Sequence, residues 1–187
     1  MEWSTVRSDN LEMTMSLSLG LLVLRVVVGL TMAGHGAQKV FGWWGGPGLK
    51  AWTEGVAKMR IRPAVPFAWL AALAELGGGL LLALGFLSPL GSLAIIGTML
   101  VAIATVHWPN GFWNTKRGYE FNLTLIAATV AIALTGPGAY SVDQAIRFHM
   151  PEPATFLVGV IATVLGVAGM LAFRSPKPSV QAKPQTT

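Results

Sequence analysis

Two ionisable side chains interrupt long apolar stretches of this chain. Arg25 lies within the run Ser16 to Gly34, and Glu75 within the run Ala64 to Leu87. A charge near the middle of a bilayer costs a few kcal/mol or more unless it is paired. Arg25 stands nine residues into its run and Glu75 eleven into the next, which runs the other way. At about 1.5 Å per residue the two reach similar depth. The spacing predicts a buried Arg25–Glu75 ion pair or shared polar site. Such a pair either fixes helix register or serves ligand or proton binding.

A second set of residues falls at run ends. His35 closes the first run, His107 closes the third in "VHWPNGF", and Glu120 opens the fourth in "GYEFNL". The alternation of direction brings all three to one membrane boundary, with Gln38, Lys39, Asn110, Tyr119 and Asn122 beside them. Two imidazoles and a carboxylate suit a divalent metal such as iron. No HxxxH or ExxH spacing supports that reading, and no metal site is assigned. A pocket for a polar headgroup such as a quinone ring fits better, with His35, His107 and Glu120 as the proton-exchanging, catalytic candidates. Arg25, Gln38, Lys39, Glu75, Asn110 and Tyr119 are then its binding residues. The bland alternative is that these side chains satisfy loop backbone at the interface.

The elements that must position these residues are membrane helices. Of the 187 residues, 53% are hydrophobic and 11% charged, against about 25% charged in soluble domains. Five apolar runs stand out: Ser16 to Gly34, Ala64 to Leu87, Leu90 to Trp108, Tyr119 to Gly136 and Ala154 to Phe173. A helix needs roughly 20 apolar residues to cross the hydrocarbon core, so the fourth run is marginal. Backbone groups in lipid must be satisfied within the segment, and the alternation of a barrel is absent, so the runs are helices. The fold class is therefore all-α, a polytopic membrane helical bundle. Residues 35–63 read as a long first loop, and 142–148 as a short interfacial helix. The chain divides into a polar N-terminal segment (1–15), a membrane core (16–153), a fifth membrane helix (154–173) and a disordered basic tail (174–187).

Charge supports five spans. With five, Lys39, Lys50, Lys58, Arg60, Arg62, Lys116, Arg117, Arg174, Lys177 and Lys183 share one face, and Arg7 and Arg147 the other. The positive-inside rule then places the N-terminus outside and the tail in the cytoplasm. The net charge of +5 reflects this topology and not nucleic-acid binding. Tryptophans 43, 44, 52, 108 and 113 gather at the basic face. The first fifteen residues carry Glu2, Asp9 and Glu12 against Arg7, unlike the basic start of a signal peptide. The absence of cysteine excludes thiol relays and thiolate-held Fe–S clusters. No GxGxxG or Walker loop occurs, so no nucleotide cofactor is expected. The glycines of "ELGGGLLLALG", and the pair Ala162 and Gly166, read as close-packing devices between helices.

From about Gly20 to Asp143 the chain resembles the DoxX family of small bacterial membrane proteins. The resemblance rests on "LRVVVGL", "HGAQKVFGWWGGPG", "LAELGGGLLLALGF", "VHWPNGFW", "GYEFNL" and "GPGAYSVD", in that order. It implies a four-helix membrane core, here followed by a fifth helix that departs from the pattern. It implies a bacterial inner-membrane location and, from some members, a place as a membrane subunit of a quinone-dependent oxidoreductase or electron-transfer assembly. Quinone is the expected cofactor. The lipid bilayer and other membrane or peripheral subunits are the expected partners. A non-catalytic accessory or scaffold subunit of a larger respiratory or photosynthetic complex is the alternative. A transporter or lipid-binding protein ranks last, since no inverted repeat is visible.

Overall fold

The computed structural model describes residues 2–151 and 153–175, with side chains from Met13 onward. The tail from 176, with Lys177 and Lys183, lies outside the described residues. All regular elements among those described are helical: α1 (Glu2–Phe41), α2 (Gly48–Lys58), α3 (Ala64–Leu84), α4 (Ser88–Ala102), α5 (Glu120–Thr135), α6 (Val142–Ala145) and α7 (Ala154–Ala172). A π turn (Ile103–His107) and a 3-10 turn (Trp108–Asn110) extend α4. Four helical stretches are long and apolar enough to cross a membrane: Met13–Phe41, Ala64–Leu84, Ser88–Asn110 and Ala154–Ala172.

α5 has 16 residues, about 24 Å at the helical rise, short of the roughly 30 Å hydrocarbon core. Its flanks complete the passage. At its start, His107 and Asn110 meet the Arg117 carbonyl, so the chain turns back from the end of α4. Beyond it, the backbone N–H of Asp143 donates to Gly85 O at 3.0 Å, beside the start of α4. The segment from Tyr119 to Asp143 thus runs the whole bundle. With α7 returning toward α2, the chain makes five passes.

α1 and α3 form the tightest contact, and glycine makes it possible. A Cβ on Gly29 would strike Gly79 O and Ala83, and one on Gly79 would strike Gly29 O and Ala33. Gly78 does the same against Ala94 of α4. Small residues let backbones approach where lipid supplies no hydrophobic drive. The core between α1, α3, α4 and α5 then fills with Val28, Met32, Leu82, Ile95, Met99, Leu125 and Ile132. Ala162 and Gly166 do not act this way: both are exposed, and a Cβ on Gly166 meets nothing within 4 Å.

Two sequence expectations need correction. First, "GHGAQKVF" is not loop. α1 continues to Phe41 because Gly36 packs against the backbone of Leu76 and Ala37 is buried. The helix stops only at Gly42, whose φ of 73° suits a residue without Cβ. Second, Arg25 and Glu75 do not pair. The extension of α1 shifts its register against α3. Gly36 lies opposite Leu76, so Arg25 falls opposite the end of α3. Its Nη1 donates to Ala83 O at 2.7 Å, and its Nη2 donates to Tyr140 O.

This places Arg25 in a staple around the α3–α4 turn. Arg25 is 2% exposed and sits at the C-terminal end of α3. Asp143 accepts from the N–H groups of Leu87 at 3.0 Å and Ser88 at 3.3 Å, at the N-terminal end of α4. A cation at a helix C-terminus and an anion at a helix N-terminus each oppose the local dipole. Gly85 is required between them: its φ is +63° and a Cβ would strike the Arg25 guanidinium.

Candidate functional site

Glu75 finds its partner on the extended part of α1. Lys39 Nζ and Glu75 Oε2 form an ion pair, with side chains 18% and 5% exposed. It is the one such pair among the described residues. Lys39 Nζ also stands 4.5 Å above the centre of the Trp52 ring, a cation–π distance. Trp52 is held by its Nε1, which donates to Ala68 O at 3.0 Å. α2 thereby fixes an aromatic wall against the lysine.

The pair borders a cavity of about 640 Å³. Drug-sized ligand pockets fall in the range of about 300–1,000 Å³. Its floor at the basic end is α2 with Trp52, Val56 and Met59. α3 contributes Leu70, Ala71 and Ala74; α4 contributes Gly97, Val101 and Thr105; α7 contributes Thr163, Gly166 and Val167. Most of this surface is carbon. The polar groups are Lys39, Glu75, His107 and the hydroxyls of Thr98, Thr105 and Thr163. Thr98 and Thr105 donate to Ile95 O and Val101 O at 2.9 and 2.7 Å, leaving their oxygens able to accept.

His107 reaches the cavity through the π turn. One extra residue per turn rotates the side chains that follow, and Thr105, Val106 and His107 all become lining. His107 Nδ1 lies 2.7 Å from Arg117 O. A carbonyl only accepts, so Nδ1 carries the hydrogen. Nε2 of the neutral ring is therefore a free acceptor.

The other residues singled out in the sequence do not line this cavity. His35 is exposed, its ring edge-on to Phe121 at 6.2 Å. Gln38 is half-buried, and its carbonyl accepts from Gly42 N at 3.1 Å. Asn110 donates to Val106 O and Arg117 O at 3.1 and 3.2 Å. Tyr119 stacks on Trp108 at 5.4 Å. Glu120 accepts from Asn114 N at 2.9 Å. Asn122 is buried in the core, where its Nδ2 lies 3.3 Å from Met99 Sδ. Among the described residues no three His, Asp or Glu side chains converge as metal ligands would.

Sequence reading missed Trp52 and the cavity face of α7. α2 had a signal: Leu49, Trp52, Val56 and Met59 recur at helical spacing within what read as loop. α7 had none, because a uniformly apolar helix does not mark which face meets a cavity.

Residues 20–108 match the family model DoxX, a stretch running from the apolar part of α1 to the end of α4. It holds Lys39, Trp52, Glu75 and His107; α5 and α7 lie beyond it. Inner membrane protein YqjF of Escherichia coli (strain K12) is 30% identical over 131 residues, covering 69% of this chain and 93% of that protein. No solved structure matches the chain.

Proposed function

The chain belongs to the DoxX family of multi-pass bacterial inner-membrane proteins, and from that premise we propose that it is a quinone-binding subunit of an electron-transfer assembly. The observation that carries this reading is one apolar cavity bordered by the Lys39–Glu75 pair and, further along α4, by His107. A quinone has the matching shape, an apolar tail and a ring with two carbonyl acceptors. Lys39 supplies N–H donors for a ring carbonyl, while the oxygens of Thr98 and Thr105 and His107 Nε2 can accept from the hydroxyls of the reduced ring. Bound there, the quinone supplies the two-electron couple. This chain's residues orient the ring, exclude water with Trp52 and Met59, and hold or accept a proton at His107 Nε2 and the Glu75 carboxylate. The chain has no cysteine, so no thiol of this chain exchanges electrons with the ring.

The test uses protein purified in mild detergent. Organic extraction is expected to release a quinone, and a short-chain alkyl-benzoquinone to bind saturably. Trp52 borders the cavity, so its fluorescence should be quenched on binding. Gly166→Leu projects a side chain into open space and should abolish saturation while leaving thermal stability intact. No extracted quinone together with no saturable binding would sink the proposal.

A further inference from the structure

α7 holds the bundle at its two ends and bridges the cavity between them. Near its start, Phe156 is buried with Ile96 and Ala133, and a side chain on Gly159 would strike Leu93. Thr163 still meets α4 at Gly97. Then the packing stops. Gly166 faces the cavity, and a Cβ on Gly166 or Gly169 meets nothing within 4 Å. Contact resumes at Met170, against the Val56, Ile61 and Ala68 cluster.

Just past α7 is a clasp. Arg174 donates through Nε and Nη2 to Met59 O at 2.9 and 2.7 Å. Ser175 N donates to Arg60 O at 3.1 Å, and Arg60 Nη1 donates to Ser175 O at 3.2 Å. These bonds tie the end of α7 to the α2–α3 connection, at the bundle end where water competes for them.

The facing rim is α3. Leu70 lines the cavity and is also 62% exposed, so one side chain touches both cavity and surroundings. The seam between α3 and α7 is bounded by carbon. The water-facing approach is covered by α2 with Trp52 and Met59. We propose that the cavity is filled sideways from the bilayer, through the seam between α3 and α7, and that the Arg174 clasp latches this seam. The inference rests on the cavity holding a membrane-soluble amphiphile, as proposed above. Such a molecule meets an apolar seam without crossing water, and its head then slides to Lys39, Glu75 and His107. α7 pivots on the Phe156 to Thr163 contact when the clasp opens.

The probe is a short-chain alkyl-benzoquinone, followed in stopped flow by tryptophan quenching in nanodiscs. Arg174→Ala should speed both association and dissociation by about tenfold, the scale of one lost charged hydrogen bond, with the Kd changing less than either rate. The chain has no cysteine, so Arg60→Cys with Ser175→Cys introduces the only pair able to cross-link. Oxidised, that variant should bind and release the probe more slowly; reduction of the same sample should restore both rates, which a folding defect would not. Retained binding with rates unchanged in Arg174→Ala overturns the seam and leaves the quinone site standing. No probe binding to the parent protein removes the site and the seam together.

Discussion

The two ends of the bundle hold their buried charges in opposite ways. At the α3–α4 turn, Arg25 and Asp143 face backbone: carbonyls of Ala83 and Tyr140 for the first, N–H groups of Leu87 and Ser88 for the second. Neither lines the cavity between α3, α4 and α7. At the α2 end, Lys39 and Glu75 face each other and, with His107, border about 640 Å³ of open space. The difference teaches how to read an ionisable group in a membrane helix. Where backbone groups take up a charge, as at Asp143 and at the two Nη atoms of Arg25, it builds the fold; where a charged pair borders open space, it can meet a ligand.

Substitutions can break this contrast. The largest effect is expected at Arg25→Ala. It leaves Ala83 O and Tyr140 O without their charged donor and should lower stability by about 3–5 kcal/mol. Thermal unfolding in detergent measures this, and the fraction of protein that still folds should bind the quinone probe normally. A loss of probe affinity in that folded fraction would couple the two ends and break the comparison.

Next is the reverse experiment. Lys39→Met combined with Glu75→Leu removes both charges, so neither is left buried and unpaired. Exchanging a buried pair for apolar residues is often neutral for stability. Probe affinity should nevertheless fall about tenfold or more, equal to roughly 1.4 kcal/mol. Equilibrium titration decides it, and unchanged affinity would make the pair structural like Arg25.

Asp143→Asn keeps one of the two acceptor oxygens and loses the other, together with the charge at the α4 N-terminus. The expected cost is about 1 kcal/mol, read as a small fall in unfolding temperature. The smallest effect belongs to His35→Ala. His35 is exposed and lies outside the cavity, so stability should stay within about 0.5 kcal/mol and probe binding should be unaltered. A His35→Ala variant that binds poorly would extend the site to the flank where Phe121 and Glu120 lie.

Much of the architecture was legible in the chain. The apolar runs announced the membrane helices, because lipid permits no other spanning element here. The glycines at 78 and 79 announced close approach, and the short fourth run its own shortfall. Lys39, Glu75 and His107, which border the cavity, were named but in other groups, and Trp52 and the α7 face were not named. Lys39 was read with His35 and Glu75 with Arg25, since the end of α1 was set at Gly34. Glycines in "GHGAQKVF" signal a break locally, yet packing against Leu76 keeps the helix going.

Composition and periodicity by themselves determined that this is a helical membrane protein with most of its cations near one set of helix ends. These properties follow from transfer of each residue to lipid, a sum that needs no partner. Only the tertiary structure decided which charges meet. Register between α1 and α3 moved Arg25 to the far turn and brought Lys39 to Glu75. The cavity itself belongs to no segment: it exists because α7 meets α4 along its first half and stands away beyond Thr163, and spacing along a chain carries no record of such a gap.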